Sequence, residues 1–261
     1  MQRLRVFARI ARLLLVVALG LGMATLFGLF ERLGMNASAQ RRQRWSQIFM
    51  KRLVNALPLR VKVIGELPRQ PMLWVSNHVS WTDIPVLGML APLSFLSKAE
   101  VRTWPVAGWL AHKAGTLFIR RGGGDSQLLR RQITQHLARQ CPLLIFPEGT
   151  TTDGRGLRTF HGRLLASAID SEVPLQPVAV RYLREGRIDP IAPFIGDDDL
   201  LSHLIRLFGQ PCSEVEVQLL EPIASKGEER AALAFQAQQA VSRALFGEAA
   251  ENLPQRRARA A

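Results

Sequence analysis

Residues 72–83 read Met-Leu-Trp-Val-Ser-Asn-His-Val-Ser-Trp-Thr-Asp, and residues 143–150 read Leu-Leu-Ile-Phe-Pro-Glu-Gly-Thr. Each is a short apolar run that stops abruptly at residues able to do chemistry. Apolar runs of this length, bounded by turn residues, fit buried strands. Asp83 then opens an apolar run of helical spacing, and a strand end that feeds a helix start is where α/β folds present reactive side chains. Two such ends in a parallel sheet fall at one edge.

Outward from these segments the same alternation continues. RVKVIG at 60–65, SFLS at 94–97, TLFIR at 116–120, LQPVAVRYL at 175–183 and EVEVQLL at 214–220 read as further strands. Helical patterns lie near Asp83–Leu90, Trp104–Lys113, Ser126–Arg139, Gly162–Ala168, Leu200–Phe208 and Glu228–Leu245. Strands alternating with helices predict an α/β fold with a mainly parallel or mixed central sheet flanked by helices. The expected division is an N-terminal membrane-associated helical region at 1–58, an α/β domain at 59–252 and a basic tail at 253–261.

An apolar content of 48% with 21% charged residues fits a globular chain and excludes collagen-like, low-complexity and disulfide-scaffold classes. The two cysteines, Cys141 and Cys212, lie in apolar surroundings and read as reduced core thiols, and no Cys/His spacing suggests a metal. The net charge of +13 is uneven: residues 1–60 carry eleven Lys/Arg and one acidic residue, while residues 61–255 balance. A neutral body with a basic N-terminal region argues against nucleic acid and for a membrane, because anionic headgroups attract such clusters.

From Leu13 to Phe30 the chain runs eighteen residues without a charge, bracketed by Arg3, Arg5, Arg9 and Arg12 before and by Glu31 and Arg32 after. As a helix it reaches roughly 27 Å, just short of a hydrocarbon core of about 30 Å. Arg41–Leu57 places Trp45, Ile48, Phe49, Arg52 and Leu53 at helical spacings among basic residues, as an interfacial helix would. A helix packed on the body and a signal peptide cleaved after Ala37-Ser38-Ala39 are the alternatives. The expected arrangement is a helical pair in the cytoplasmic leaflet, with the rest of the chain facing the cytoplasm.

His78 in the turn and Asp83 in the first helical turn are close enough for the carboxylate to accept from one imidazole nitrogen. That contact fixes the tautomer and leaves the other nitrogen as a general base. Glu148 sets a carboxylate at the second strand end, with Gly149 allowing close backbone approach.

These segments also resemble a known family. NHVSWTD at 77–83 and FPEGT at 146–150 are similar to the NHxxxxD and FPEGT signatures of the glycerolipid acyltransferases, which include 1-acylglycerol-3-phosphate acyltransferases. GTLFIRR at 115–121 and VPLQPVAV at 173–180 resemble two further blocks in the same order. The resemblance implies His78 as catalytic base, Asp83 as its orienting partner, Glu148, Gly149 and Thr150 in acceptor placement, and Arg121 on an acceptor phosphate. It implies an enzyme at the inner membrane that moves an acyl group from acyl-CoA or acyl carrier protein to the hydroxyl of lysophosphatidate. Membrane phospholipids are its surroundings, with no metal, no cofactor and no nucleic acid. Direct transfer is expected, since the chain has no Gly-x-Ser-x-Gly elbow and no Cys–His nucleophile pair.

One departure bears on the acceptor. Members that use lysophosphatidate commonly continue FPEGT with Arg, where this chain has Thr151, and many carry Phe-Lys where it has Phe160-His161. Arg120, Arg155, Arg158 and Arg163 are candidate replacements for the lost charge. The acceptor alternatives are a lyso-ornithine lipid or another lysophospholipid. A non-catalytic membrane lipid-binding protein is the reading from a different class.

Overall fold

The computed structural model describes residues 2–34, 38–119 and 126–247. Two N-terminal helices, α1 (Gln2–Arg32) and α2 (Ala39–Ala56), precede the strands β1 (Leu59–Ile64) and β2 (Leu73–Ser76). Helix α3 (Asp83–Gly88), β3 (Ser94–Lys98), a 3-10 turn at Ala99–Thr103, α4 (Ala107–Lys113) and β4 (Leu117–Ile119) follow. The chain continues through α5 (Ser126–Ala138), β5 (Leu143–Ile145), α6 (Ala166–Asp170), β6 (Leu175–Arg184) and β7 (Arg187–Ile188). It ends in α7 (Leu200–Gly209), β8 (Ser213–Leu219) and α8 (Arg230–Phe246).

The strands form one mixed sheet in the order β1-β8-β6-β2-β5-β3-β4, with β7 added to β6. β2 runs parallel to both neighbours, β5 and β6, whereas β8 runs antiparallel to β6. The central strands are buried on both faces, which explains their continuous apolar runs. Alternate side chains divide between two cores. Leu73, Val75, Leu143 and Ile145 join Ile133 of α5 and Leu233 and Val241 of α8 on one face. Trp74 and Leu144 join Val54 of α2 and Val86 and Leu87 of α3 on the other.

Several expectations are refined by this arrangement. The helix expected at Trp104–Lys113 begins only at Ala107, because Trp104 is extended and Pro105 follows it. The helix expected at Gly162–Ala168 begins at Ala166, and the short strand β7 carried no apolar signal. Cys141 is buried as expected, but Cys212 is exposed at the entry to β8, and both are free thiols. Helix α2 packs one side on the body: Gln43 donates to Ser94 Oγ and the Pro142 carbonyl, and Val54 enters the core. Its Trp45 and Ile48 stay exposed.

Helix α1 extends well beyond the uncharged run at 13–30. Among the described residues it is the one helix long and apolar enough to cross a membrane, with a mean hydropathy of 2.5 and most of its surface outside the core.

Candidate active site

The parallel register builds the site. Val75 of β2 lies opposite Ile145 of β5, so His78 and Glu148, each three residues further on, leave the sheet at the same edge. β2 ends at Ser76, whereas β6 continues alongside the following turn to Arg184. The Asn77 side chain covers the gap: its amide donates to the Val180 carbonyl (2.9 Å) and accepts from the Val180 N–H (2.8 Å), taking the place of a strand residue. That anchor fixes the backbone immediately before His78.

His78 Nδ1 lies 2.8 Å from Asp83 Oδ2, and the same oxygen accepts from the backbone N–H groups of Val79 (2.7 Å) and Ser80 (2.9 Å). Asp83 Oδ1 accepts from Tyr182 OH at 2.6 Å. Tyr182 has only one proton to give, so the Thr82 hydroxyl at 2.7 Å donates to it in turn. Asp83 is wholly buried and all its donors converge on a carboxylate. Burial, with the Asp83 charge beside it, holds the Tyr182 phenol well above its ordinary pKa, so it remains a donor. With Asp83 as acceptor, Nδ1 carries the imidazole proton and Nε2 presents a lone pair. The ring is set by stacking on Phe146, with centroids 3.9 Å apart and planes 12° from parallel.

Glu148 is 3% exposed, and among the described residues its carboxylate oxygens make no close hydrogen bond, only weak approaches to the backbone of His78 and Arg158. Burial, reinforced by the Asp83 charge, pushes its pKa up to about 8, against a smaller opposing pull from the His78 and Arg158 backbone and the Arg158 charge. Burial thus shifts Glu148 toward its neutral form. Gly149 follows with φ of 71°, a left-handed conformation that suits glycine, and donates to the Phe146 carbonyl at 3.0 Å. The Thr152 N–H bonds the His78 carbonyl at 2.8 Å and ties the two strand-end loops together.

A largely apolar cavity of about 760 Å³ runs from His78, Phe146 and Thr150 to Phe49 of α2 and Val17 and Phe27 of α1. The structure thus brings together His78, Asp83, Glu148, Gly149 and Thr150 of the residues named from sequence. Arg120 and Arg121 lie outside the described residues. Tyr182 and Asn77 were not singled out in the sequence. Tyr182 is the sole tyrosine of the chain and falls in a strand that is otherwise apolar apart from Gln176 and its arginines, which is the one trace it leaves there.

A hydroxyl brought to His78 Nε2 meets a base whose other nitrogen is held by a buried carboxylate. Beside it opens an apolar cavity of a size to take an alkyl chain. Comparison with known proteins shows the family. The family model described as Acyltransferase matches residues 59–181. The chain is 62% identical over 258 residues to the lyso-ornithine lipid O-acyltransferase of Pseudomonas aeruginosa, covering 99% of this chain and 100% of that one. It is 34% identical over 182 residues to a 1-acyl-sn-glycerol-3-phosphate acyltransferase of Neisseria gonorrhoeae, covering 68% and 71% of the two chains. The crystal structure of the 1-acyl-sn-glycerophosphate acyltransferase of Thermotoga maritima shares the fold, with a TM-score of 0.61 at 24% identity, over 91% of this chain and 96% of that one. The chain belongs to the acyltransferase family.

Proposed function

We propose that this acyltransferase moves a fatty acyl group from a thioester, carried on coenzyme A or acyl carrier protein, to the free hydroxyl of a lyso-ornithine lipid. The observation that carries this reading is the 62% identity to the lyso-ornithine lipid enzyme along essentially the whole of both chains. It takes precedence over lysophosphatidate, the acceptor first expected from the motifs. The site's own chemistry supports the change. Where an Arg would follow FPEGT, the Thr151 hydroxyl donates to the Phe194 carbonyl and so serves to hold the neighbouring loop.

In the reaction, the lysolipid hydroxyl oxygen attacks the thioester carbonyl carbon while His78 Nε2 takes its proton. Asp83 steadies the imidazolium, as a buried carboxylate does for a catalytic histidine. The tetrahedral centre collapses with cleavage of the C–S bond, and His78 returns the proton to the departing thiolate. The products are the ester and the free thiol, and the balance needs no metal or redox partner. The cytoplasmic membrane face, where thioester donors are supplied, is the proposed site of action.

The test is thiol release by the purified chain in detergent, with palmitoyl thioester and a panel of acceptors. Lyso-ornithine lipid should give a kcat/KM at least about tenfold above 1-acylglycerol-3-phosphate. A preference for the phosphate acceptor would restore the first reading. Acceptor binding without thiol release would favour a non-catalytic lipid binder.

A further inference from the structure

Helix α7 is fixed at both ends. Asp199 caps its start by accepting from the Ser202 N–H at 3.0 Å. At its C-terminal end, where a cation is favoured, Arg9 of α1 donates through Nη1 to the carbonyls of Phe208 (2.7 Å) and Gln210 (2.6 Å). Between these anchors lies His203, wholly buried. Its Nδ1 is 3.0 Å from Trp81 Nε1, and its Nε2 is 3.0 Å from the Ile191 carbonyl oxygen. An indole N–H only donates and a carbonyl only accepts, so the tautomer is set: Nδ1 bears the lone pair and Nε2 the proton. Burial holds the pKa of the ring below the ordinary histidine value, which keeps it neutral and the lone pair free to accept.

Both partners of His203 lead to the site. Trp81 belongs to the turn between His78 and Asp83 and lines the cavity with His78. Ile191 leads into Phe194, whose N–H donates to the Val79 carbonyl at 2.9 Å and whose carbonyl accepts from the Thr151 hydroxyl. This loop is therefore bonded to both strand-end turns, at the residue after His78 and at the residue after the FPEGT segment. Phe194 lines the cavity as well. Its ring meets the His203 ring edge-on with centroids 5.3 Å apart, and the Trp81 ring does so at 6.4 Å. One neutral imidazole thus fastens two aromatic rings of the cavity wall. The base is held separately, by Asp83, by the Asn77 anchor before it and by the Phe146 ring.

We propose that His203 is a positioning residue for the acceptor: it holds Trp81 and Phe194 as the wall against which the hydroxyl-bearing part of the lysolipid is seated beside His78 Nε2. The acceptor is the substrate concerned because its hydroxyl must reach the base from the cavity that these two rings line. The tie through Thr151 agrees, since that position is where this chain departs from members that use lysophosphatidate. His203 is wholly buried and acts through the rings, without touching substrate. A wall of this kind meets the acceptor before and during the reaction alike, so its loss raises the acceptor KM and leaves kcat to the separately held base. His203 takes this role whichever lysolipid is used, provided that acyl transfer occurs at His78 as proposed above.

The test measures thiol release by the full chain in detergent with palmitoyl-CoA, titrating whichever of lyso-ornithine lipid and 1-acylglycerol-3-phosphate the parent uses better. His203→Ala, His203→Asn, His203→Gln and Trp81→Phe are compared with the parent, each with a thermal melt. Asn sets its carbonyl oxygen near the Nδ1 position and still accepts from Trp81, whereas Gln sets its amide near Nε2 and leaves the indole N–H unpaired. Ala and Gln should raise the acceptor KM at least about tenfold, with kcat within about threefold and the thioester KM within about twofold of the parent. Asn should bring the acceptor KM back to within about threefold of the parent. Trp81→Phe leaves α7 untouched and should raise the acceptor KM as Gln does, which keeps the test open if His203→Ala does not fold. An acceptor KM that simply follows the melting temperature through Ala, Asn and Gln would overturn the proposal by reducing His203 to a core residue. An unchanged acceptor KM in His203→Gln and Trp81→Phe would overturn it directly, and a fall in kcat larger than the rise in KM would do so by giving His203 a part in setting the base. A parent that releases no thiol with either acceptor would overturn the acyl-transfer reading itself, and this role of His203 with it.

Discussion

Replacing Tyr182 with Phe separates what holds Asp83 from what performs the chemistry. The phenol donates to Asp83 Oδ1 at 2.6 Å from a wholly buried position, and the isosteric ring leaves no cavity. Its loss strips a buried carboxylate oxygen of its hydrogen bond and leaves the Thr82 hydroxyl to find another acceptor. A hydrogen bond to a charged group is worth about 1.5–3 kcal/mol, and an orphaned buried partner places the expected cost near the top of that range, about 2–3 kcal/mol. For a chain of this size that is a fall of about 4–10 °C in melting temperature. Asp83 Oδ2 keeps His78 and the N–H groups of Val79 and Ser80. The base therefore remains oriented, and kcat should fall by less than about tenfold. The assays are a thermal melt and thiol release at saturating acceptor. A melting temperature within about 1 °C of the parent would refute the claim that Asp83 depends on this phenol. A loss of turnover beyond about 100-fold with an unchanged melt would refute the division of labour by giving the phenol a part in the chemistry.

Three further substitutions divide along the same line. His78→Ala should lower turnover by about 10²–10⁴-fold with little change in melting temperature, because the side chain borders the cavity and contributes little to either core; near-parental turnover would remove His78 as the base, and Asp83→Asn should be impaired alongside it. Glu148→Gln tests the neutral carboxyl through pH. The folded pKa of about 8 lies above the unfolded value of 4.5, so the stability Glu148 contributes is complete below the unfolded value and is lost as pH rises through the folded one. Between pH 6 and pH 9 the parent should lose about 2–3 kcal/mol that the Gln variant keeps; parallel pH profiles would show that Glu148 is already ionised in the folded protein.

The sequence by itself determined the local chemistry and the class of fold. Strand runs of four or five apolar residues, the turns that end them and the helix that Asp83 opens are set by neighbouring residues. The His78–Asp83 pairing was legible for that reason: five residues of chain close it, and only two backbone N–H groups and one ring are needed nearby. The basic, apolar N-terminus was equally plain, because charge and hydropathy are sums over adjacent positions. What the chain order could not supply is which strands become neighbours. That β2 lies between β5 and β6 depends on burying Leu73, Trp74, Leu143 and Leu144 on both faces of one sheet, a long-range packing outcome with no local mark. Only that packing sets Glu148 beside the Asp83 charge, which with burial shifts it toward the neutral form. Only it sends β6 past the turn so that Tyr182, about a hundred residues away in the chain, meets Asp83. The grip of Arg9 on the end of α7, about two hundred residues away, belongs to the same level. Contacts of that separation are decided when surfaces close on one another, and a side chain's chemistry there follows from what the fold brings to it.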